Sequence, residues 1–405
     1  MSEWREFPLR DIAARERNAL VGGPFGSNLL SRDFTSTGTP VIRGENMGQR
    51  WVSGPFVHVG PEKAIALRAN VARPGDVIFT QRGTVGQVSL VPAVGPAEYI
   101  VSQSQMKLTA DRSLADPMYL YYVLSSQPYR DHMRRHAIQT GVPHTNLGIL
   151  GATLIALPPL SVQRRIAGIL GTLDDKIELN RRLAETLETA VLAPFGAQVQ
   201  QDQLPADQSR LGDLAILVRD LVDPRSSPEV EFDHYSLPAF DDGQRPAHDL
   251  GQSIKSVKTV VPPGCVLVSK LNPEIERVWC PDVGPGDRAV CSTEFMVLLP
   301  VAPMSRGYLY ALTRSRYFRR ALEALVTGNS GSHQRANVAA AMEIPVHRAD
   351  PAWVDRFQAV AEPMLDRALS TRREAQSLAT IRDALLPRLL AGPLGSRRDR
   401  GAGHD

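Results

Sequence analysis

Cysteine is scarce. The three residues Cys265, Cys280 and Cys291 share one stretch of a 405-residue chain, spaced for neither a paired CxxC zinc site nor a disulfide framework. This excludes a small stapled fold and suits a reducing compartment, so a cytoplasmic protein is expected. Lysine is also rare. Of 46 Lys and Arg residues only Lys63, Lys107, Lys176, Lys255, Lys258 and Lys270 are lysines, and none follows Lys270. Arginine suits bidentate contacts to phosphate and guanine; a proteome-wide arginine bias gives the same count, and both readings stay open. No apolar run reaches the roughly 18 residues of a membrane span. The start, Met1-Ser2-Glu3-Trp4-Arg5-Glu6, is too polar for a signal peptide, so no membrane partner is expected. Neither charge sign dominates, and a net charge of +3 argues neither for nor against a polyanionic partner.

Catalytic motifs are missing as well. There is no G-x-x-x-x-G-K-[ST], G-x-S-x-G, H-E-x-x-H or G-x-G-x-x-G after a strand. Asp174-Asp175-Lys176 has the form of a nuclease metal-site tail. It falls between Leu173 and Ile177 of an apolar periodicity, without an acidic partner on a preceding strand, and reads as solvated helix surface. The nine histidines are scattered. No catalytic residue, metal site or cofactor is expected in this chain.

What is present is a duplication. At 405 residues, and roughly 100–200 residues per domain, the chain holds two or three domains, and an internal repeat offset by about 190 residues organises them. Arg73-Pro-Gly-Asp-Val-Ile-Phe-Thr80 recurs as Pro262-Pro-Gly-Cys-Val-Leu-Val-Ser269. Tyr99–Met106 answers to Ala289–Met296, and Met118–Leu124 to Gly307–Thr313. Thr140-Gly141, His144 and Asn146 have counterparts in Thr327-Gly328, His333 and Asn337. Early in each unit, short β-branched runs such as Pro40–Arg43 and Gln87–Val91 lie between Gly, Pro and Asn and read as strands. Later the pattern turns helical: Asp116-Pro117 is a cap and first-turn pair, and Pro128 should break or restart the helix. The basic run Arg314, Arg316, Arg319 and Arg320 reads as a solvated face.

Each unit closes on a long amphipathic segment. From Val162 the apolar positions Ile166, Leu170, Leu173 and Ile177 continue to Asn180, Ala184, Leu187 and Val191 in steps of four and three. Leu160–Leu192 would be about 50 Å long as a helix. The second copy runs from Val354 to Leu389, with Pro363 a kink. The two stripes bury best against one another, which predicts an antiparallel pair, units at opposite ends and a pseudo-twofold dumbbell. Asn180 either fixes register from within the seam or reaches water at its edge. The expected divisions are 1–159 and 205–350 for the β-rich units, 160–195 and 351–391 for the helices, and 392–405 for a disordered tail.

Gly-rich polar loops carry Arg, Gln and Asn, whose geometry matches guanine and adenine in the major groove. Candidate DNA contacts are Ser27, Arg43, Asn46, Gln81, Arg82, Gln103, Thr140, His144 and Asn146 in the first unit. In the second they are Lys270, Asn272, His333 and Arg335. His144 and His333 read as loop hydrogen-bonding groups. Glu178, Arg181 and Arg182 on the first long helix are candidate partner contacts.

Leu157-Pro-Pro-Leu-Ser-Val-Gln-Arg-Arg-Ile166 running into Leu173–Asn180 resembles the central spacer of the specificity subunits of type I restriction–modification systems. Pro24-Phe-Gly-Ser27, Pro40–Arg43, Gly75–Phe79, Gly83–Gly86 and Val101-Ser102 resemble that family's target-recognition domain in its usual order. Ser269–Pro273 and Cys291–Phe295 resemble another variant of it. The resemblance implies an α+β fold of two tandem, pseudo-twofold-related target-recognition domains, β-rich with short helices, separated by two long antiparallel coiled-coil spacer helices. It further implies a non-catalytic subunit that reads a split site in double-stranded DNA and docks two methyltransferase subunits. S-adenosylmethionine would sit on those partners, and restriction subunits would join through them. The second unit lacks a Pro-Phe-Gly-Ser equivalent near Arg219–Ser227, so an asymmetric site is expected. Against this stand a chain with its own methyltransferase or nuclease chemistry, which would need [DNS]-P-P-[YFW] where only Leu157-Pro-Pro-Leu160 and Val261-Pro-Pro-Gly264 occur, and a coiled-coil interaction protein without DNA.

Overall fold

Val77–Thr80 and Val266–Ser269 are buried at every position. They sit at matching places in a chain whose computed structural model describes residues 4–138, 142–201, 208–327, 334–347 and 350–390. Thr140, His333 and the tail after 391 lie outside the described residues. The chain forms two units, Met1–Ile177 with Gln376–Asp405, and Glu178–Ala375.

In the first unit Ile78 packs with Ile42, Val91, Tyr99 and Val101. Its neighbours Val77 and Phe79 point the other way, into a cluster with Tyr119, Leu120 and Ile166. Successive strand side chains face opposite sides, so a strand between two cores must be apolar throughout rather than alternating. The same holds in the second unit, where Leu267 joins Tyr235 and Trp279 while Val266 and Val268 join Tyr308 and Phe318. Around these strands two sheets recur. One is a four-stranded antiparallel sheet, in the order Leu20–Gly22, Gln105–Leu108, Val77–Thr80, Val88–Leu90 and, in the other unit, Ala215–Val218, Phe295–Pro300, Val266–Ser269, Val278–Trp279. The other is five-stranded and carries one parallel pair, Thr39–Ile42 with Tyr99–Val101 and Glu231–Tyr235 with Ala289–Cys291.

The helix Pro117–Ser125 starts on Asp116, whose Oδ1 accepts from Met118 and Tyr119 N–H, both at 3.0 Å. It stops at Ser126, and Gln127–His136 begins anew with Pro128 in its first turn, as the sequence pattern predicts. The duplicate breaks at the same place without a proline. Arg306–Arg314 ends at Ser315, which caps Arg316–Glu323 by accepting from Phe318 N–H at 3.2 Å.

The first long helix is Leu160–Gln201, 42 residues, longer than the 33-residue reading because it passes through Pro194. Proline in a helix interior costs about 3 kcal/mol. Here the next residue, Phe195, is buried against Tyr308, Trp353 and Phe357, ring centres 5.2, 6.1 and 5.7 Å away, and this packing offsets the loss. The second, Pro351–Leu390, likewise continues through Pro363. Within the first unit Asp174 meets Arg382 at 2.7 Å, and Leu386, Leu389 and Leu390 pack on the cluster holding Ile166 and Leu170. Within the second, Glu188 meets Arg372 at 2.8 Å while Val191 and Phe195 pack with Val354, Phe357 and Ala361. Numbers fall along one helix as they rise along the other: the pairing is antiparallel. Asn180 is buried, not at a seam edge, and Thr371 is buried at the matching phase of the second helix.

Two surface readings are corrected. Asp174 is not solvated: Tyr122 donates its hydroxyl to Asp174 at 2.7 Å, and Arg382 and Arg50 approach the same carboxylate. Burial first, then this hydrogen bond, pushes the Tyr122 hydroxyl well above its ordinary value. Arg314 and Arg319 are not a solvated run either, since both pair with Glu276; Arg316 and Arg320 are exposed. The cysteines are free and buried, and burial pushes the Cys280 and Cys291 thiols up to about 12.

Candidate nucleic-acid interface

The central strands deliver the candidate loops. As Val77–Thr80 ends, Gln81 and Arg82 donate backbone N–H to Ser104 O at 2.7 and 3.3 Å, and Gln81 O accepts from Thr145 N–H at 2.9 Å. Gly83 N–H reaches Pro143 O at 3.2 Å, and Arg82 bridges to His144. Ser102 N–H donates to Ile42 O at 3.0 Å, which brings in the Arg43 turn, and Gly23 N–H donates to Gln105 O at 2.8 Å. Gly23 is pressed so close that a Cβ there would lie 1.8 Å from Ser102 O. Five loops distant in sequence therefore meet at one end of the sheets.

The second unit repeats the arrangement. Lys270 donates backbone N–H to Glu294 O and accepts from Ala336 N–H, both at 2.9 Å. Asn272 N–H reaches Gln334 O at 2.8 Å. Asn146 and Asn337 hold equivalent posts, each capping the next helix through Oδ1, at 2.9 and 3.1 Å.

The side chains divide by what they already touch. Ser27 and Arg82 are exposed, Gln81 and Lys270 half-buried, and none of these four has a side-chain hydrogen bond or ion pair among the described residues. Arg43 pairs with Glu45 and lies over Phe34, 5.6 Å from the ring centre. The His144 ring takes Val142 O at 3.2 Å. Asn46 does not belong to the surface: it is 1% exposed, its Oδ1 accepting from Arg43 N–H and its Nδ2 donating to Ser53 O and Pro55 O. A buried amide with these bonds made is turn structure. The Gln103 NH2 donates to Gly26 O and Leu29 O at 2.6 and 2.9 Å, so it ties down a neighbouring turn. Asn272 sits at φ +48° with Oδ1 buried and unpartnered. Arg335 is held on the Glu294 carboxylate by bonds of 2.9–3.1 Å, and that hydrogen-bonded partner raises its pKa. Glu294 lies inside the Cys291–Phe295 motif; its acid side chain is visible in the sequence, but its pairing with a residue 41 positions on is not.

On the first long helix Arg181 and Arg182 are exposed, Glu178 is half-buried, and Arg182 pairs with Glu178 at 2.6 Å. Beside them Leu179 is 59% exposed and Leu183 is exposed too, two apolar positions that a reading by charge passed over. Among the described residues no three His, Cys, Asp or Glu side chains could hold a metal ion, and no helix is long and apolar enough to cross a membrane.

Each copy of the duplicated α+β unit gathers polar loops at the end of its sheets and closes on a long helix. Residues 1–189 match the type I restriction modification DNA specificity domain. The chain is 26% identical over 200 residues to the type I restriction enzyme HindI specificity subunit of Haemophilus influenzae, covering 48% of this chain and 40% of that protein. It is 32% identical over 91 residues to the type I restriction enzyme MjaVIII specificity subunit of Methanocaldococcus jannaschii, covering 22% and 21%. The matched stretch is thus less than half the length of either relative. The fold is shared along the whole chain with the type I restriction–modification S subunit from M. genitalium, at a TM-score of 0.61 and 16% identity over 96% of each chain.

Proposed function

We propose that this chain is the sequence-specific DNA-binding subunit of a type I restriction–modification complex, reading an asymmetric bipartite site in double-stranded DNA. The observation that carries this reading is the same loop constellation displayed twice with different side chains: Ser27, Arg43, Gln81, Arg82 and His144 in one unit, Lys270, Asn272 and the Arg335–Glu294 pair in the other. Two readers with different residues select different half-sites. Residues 1–159 and 205–350 are the recognition domains, and 160–195 and 351–391 the spacer. The long helices dock two methyltransferase subunits through the surface around Glu178, Arg181 and Arg182, and restriction subunits join through those partners. S-adenosylmethionine and the methyl-transfer chemistry belong to the partners, with this chain non-catalytic and cytoplasmic. Footprinting the assembled complex on genomic fragments tests this: two protected patches at a fixed separation are expected, and one continuous patch or no preference overturns it.

A further inference from the structure

Phe25 is 80% exposed. Single exposed apolar side chains are ordinary, and exposure alone would carry nothing. What sets this ring apart is how its backbone is held. Gln103 Nε2 donates to Gly26 O and Leu29 O at 2.6 and 2.9 Å, Lys63 Nζ donates to Asn28 O at 3.1 Å, and Asn28 N–H closes onto Phe25 O at 3.2 Å. On one side Pro24 is buried; on the other Leu29 is buried with Val41, Val59 and Ile100. Gly26, at φ +57°, turns the chain where a Cβ would be strained. The turn is anchored at both ends while, among the described residues, the ring joins no apolar cluster.

The ring also has a place. Two residues earlier Gly23 lies against Ser102 and Gln103, and Gln103 itself grips the turn, so Phe25 stands at the rim of the candidate DNA surface. Exposed Ser27 on the same turn suits base-edge hydrogen bonds, which a phenyl ring cannot make. The apolar feature a base pair offers in the major groove is the thymine C5-methyl group. We infer that Phe25 reads thymine, packing its ring on the 5-methyl group in the half-site bound by the first unit. Among the described residues the second unit has no equivalent: its short turn Pro224–Ser226 carries Arg225, clamped by Asp223 at 2.7 Å. The contact therefore falls in one half-site only. This inference rests on the DNA-reading function proposed above.

The test uses the subunit assembled with its co-expressed methyltransferase and duplexes bearing the motif found by methylation-aware sequencing of host DNA. Each thymine is replaced in turn by deoxyuridine, which removes only the methyl group. The wild-type complex should lose about fourfold in affinity at one thymine, the scale of one buried methyl group. Phe25→Ala should bind the thymine and uracil duplexes equally, with its thermal midpoint unchanged because the ring packs on no core. Equal responses of wild type and variant at every thymine, an effect in both halves, or a motif with no thymine in the affected half overturns the contact. Absence of any site preference in the wild-type complex overturns the DNA reading itself, and this contact with it.

Discussion

Asp76 and Lys107 are each 4% exposed at the side chain and 3.4 Å apart. Asp76 also accepts from Thr109 Oγ1 at 2.6 Å and Arg73 N–H at 2.8 Å. The duplicated unit has Cys265 at the position of Asp76, and its strand register sets Val297 where Lys107 stands. One copy thus runs on a buried ion pair and the other on apolar side chains. Removing one partner of such a pair strands a charge at a cost of about 3–5 kcal/mol, whereas replacing both by apolar residues is close to neutral. Denaturant unfolding should show Lys107→Val strongly destabilised and Asp76→Cys with Lys107→Val largely restored; additive losses would rule out the exchange. Residue types were legible in the sequence here, but their jobs were not. Asn46 and Gln103 have the donor and acceptor geometry of adenine readers, and the same geometry suits a backbone turn. Only burial and partners decide, and both depend on residues up to 77 positions away.

Among elements, the two broken helix pairs separate cause from accompaniment. Pro128 accompanies one break, but the other forms without proline, so the break belongs to the fold, and in the second pair the Ser315 side chain completes it. Ser315→Ala should cost about 1 kcal/mol as a lost cap. Ser126→Ala should cost less, because the Ser126 side chain makes no cap hydrogen bond and bonds back to Val123 O instead. Equal losses would contradict this. The long helices were legible as periodicity, their lengths less so: Pro194 is a stop signal locally, and the aromatic cluster around Phe195 that overrides it is assembled from residues more than 100 positions on. On the outer face, the Arg182–Glu178 pair is a surface pair of small worth, while Leu179 and Leu183 present apolar area. Alanine at each leucine should weaken co-purification with the methyltransferase by about 1.5 kcal/mol, more than charge reversal at Glu178, Arg181 and Arg182. The opposite ranking would place the partner on charge.

For the whole molecule, a net charge of +3 with few lysines left open whether arginine signals a polyanion. The structure separates the arginines by partner. Arg314 and Arg319 neutralise Glu276, Arg372 neutralises Glu188, Arg382 and Arg50 share Asp174, and Arg335 is matched by Glu294. Much of the arginine excess serves internal ion pairing, which composition could not reveal. The repeat, by contrast, was legible at once, because duplicated strands and turns keep their order even where their side chains diverge. If the loops meet DNA, the cations that release counterions should be those without an acidic partner, such as Arg82 and Lys270. In binding to the assembled complex across a salt series, Arg82→Ala or Lys270→Ala should each reduce the slope of log affinity against log salt by about one. Arg335→Ala should leave the slope nearly unchanged, because a guanidinium held on Glu294 neutralises no phosphate, and Glu294→Gln, which frees it, should steepen the slope. An Arg335 effect as large as that of Arg82 would mean that the Glu294 pair opens on binding, leaving Arg335 among the phosphate contacts.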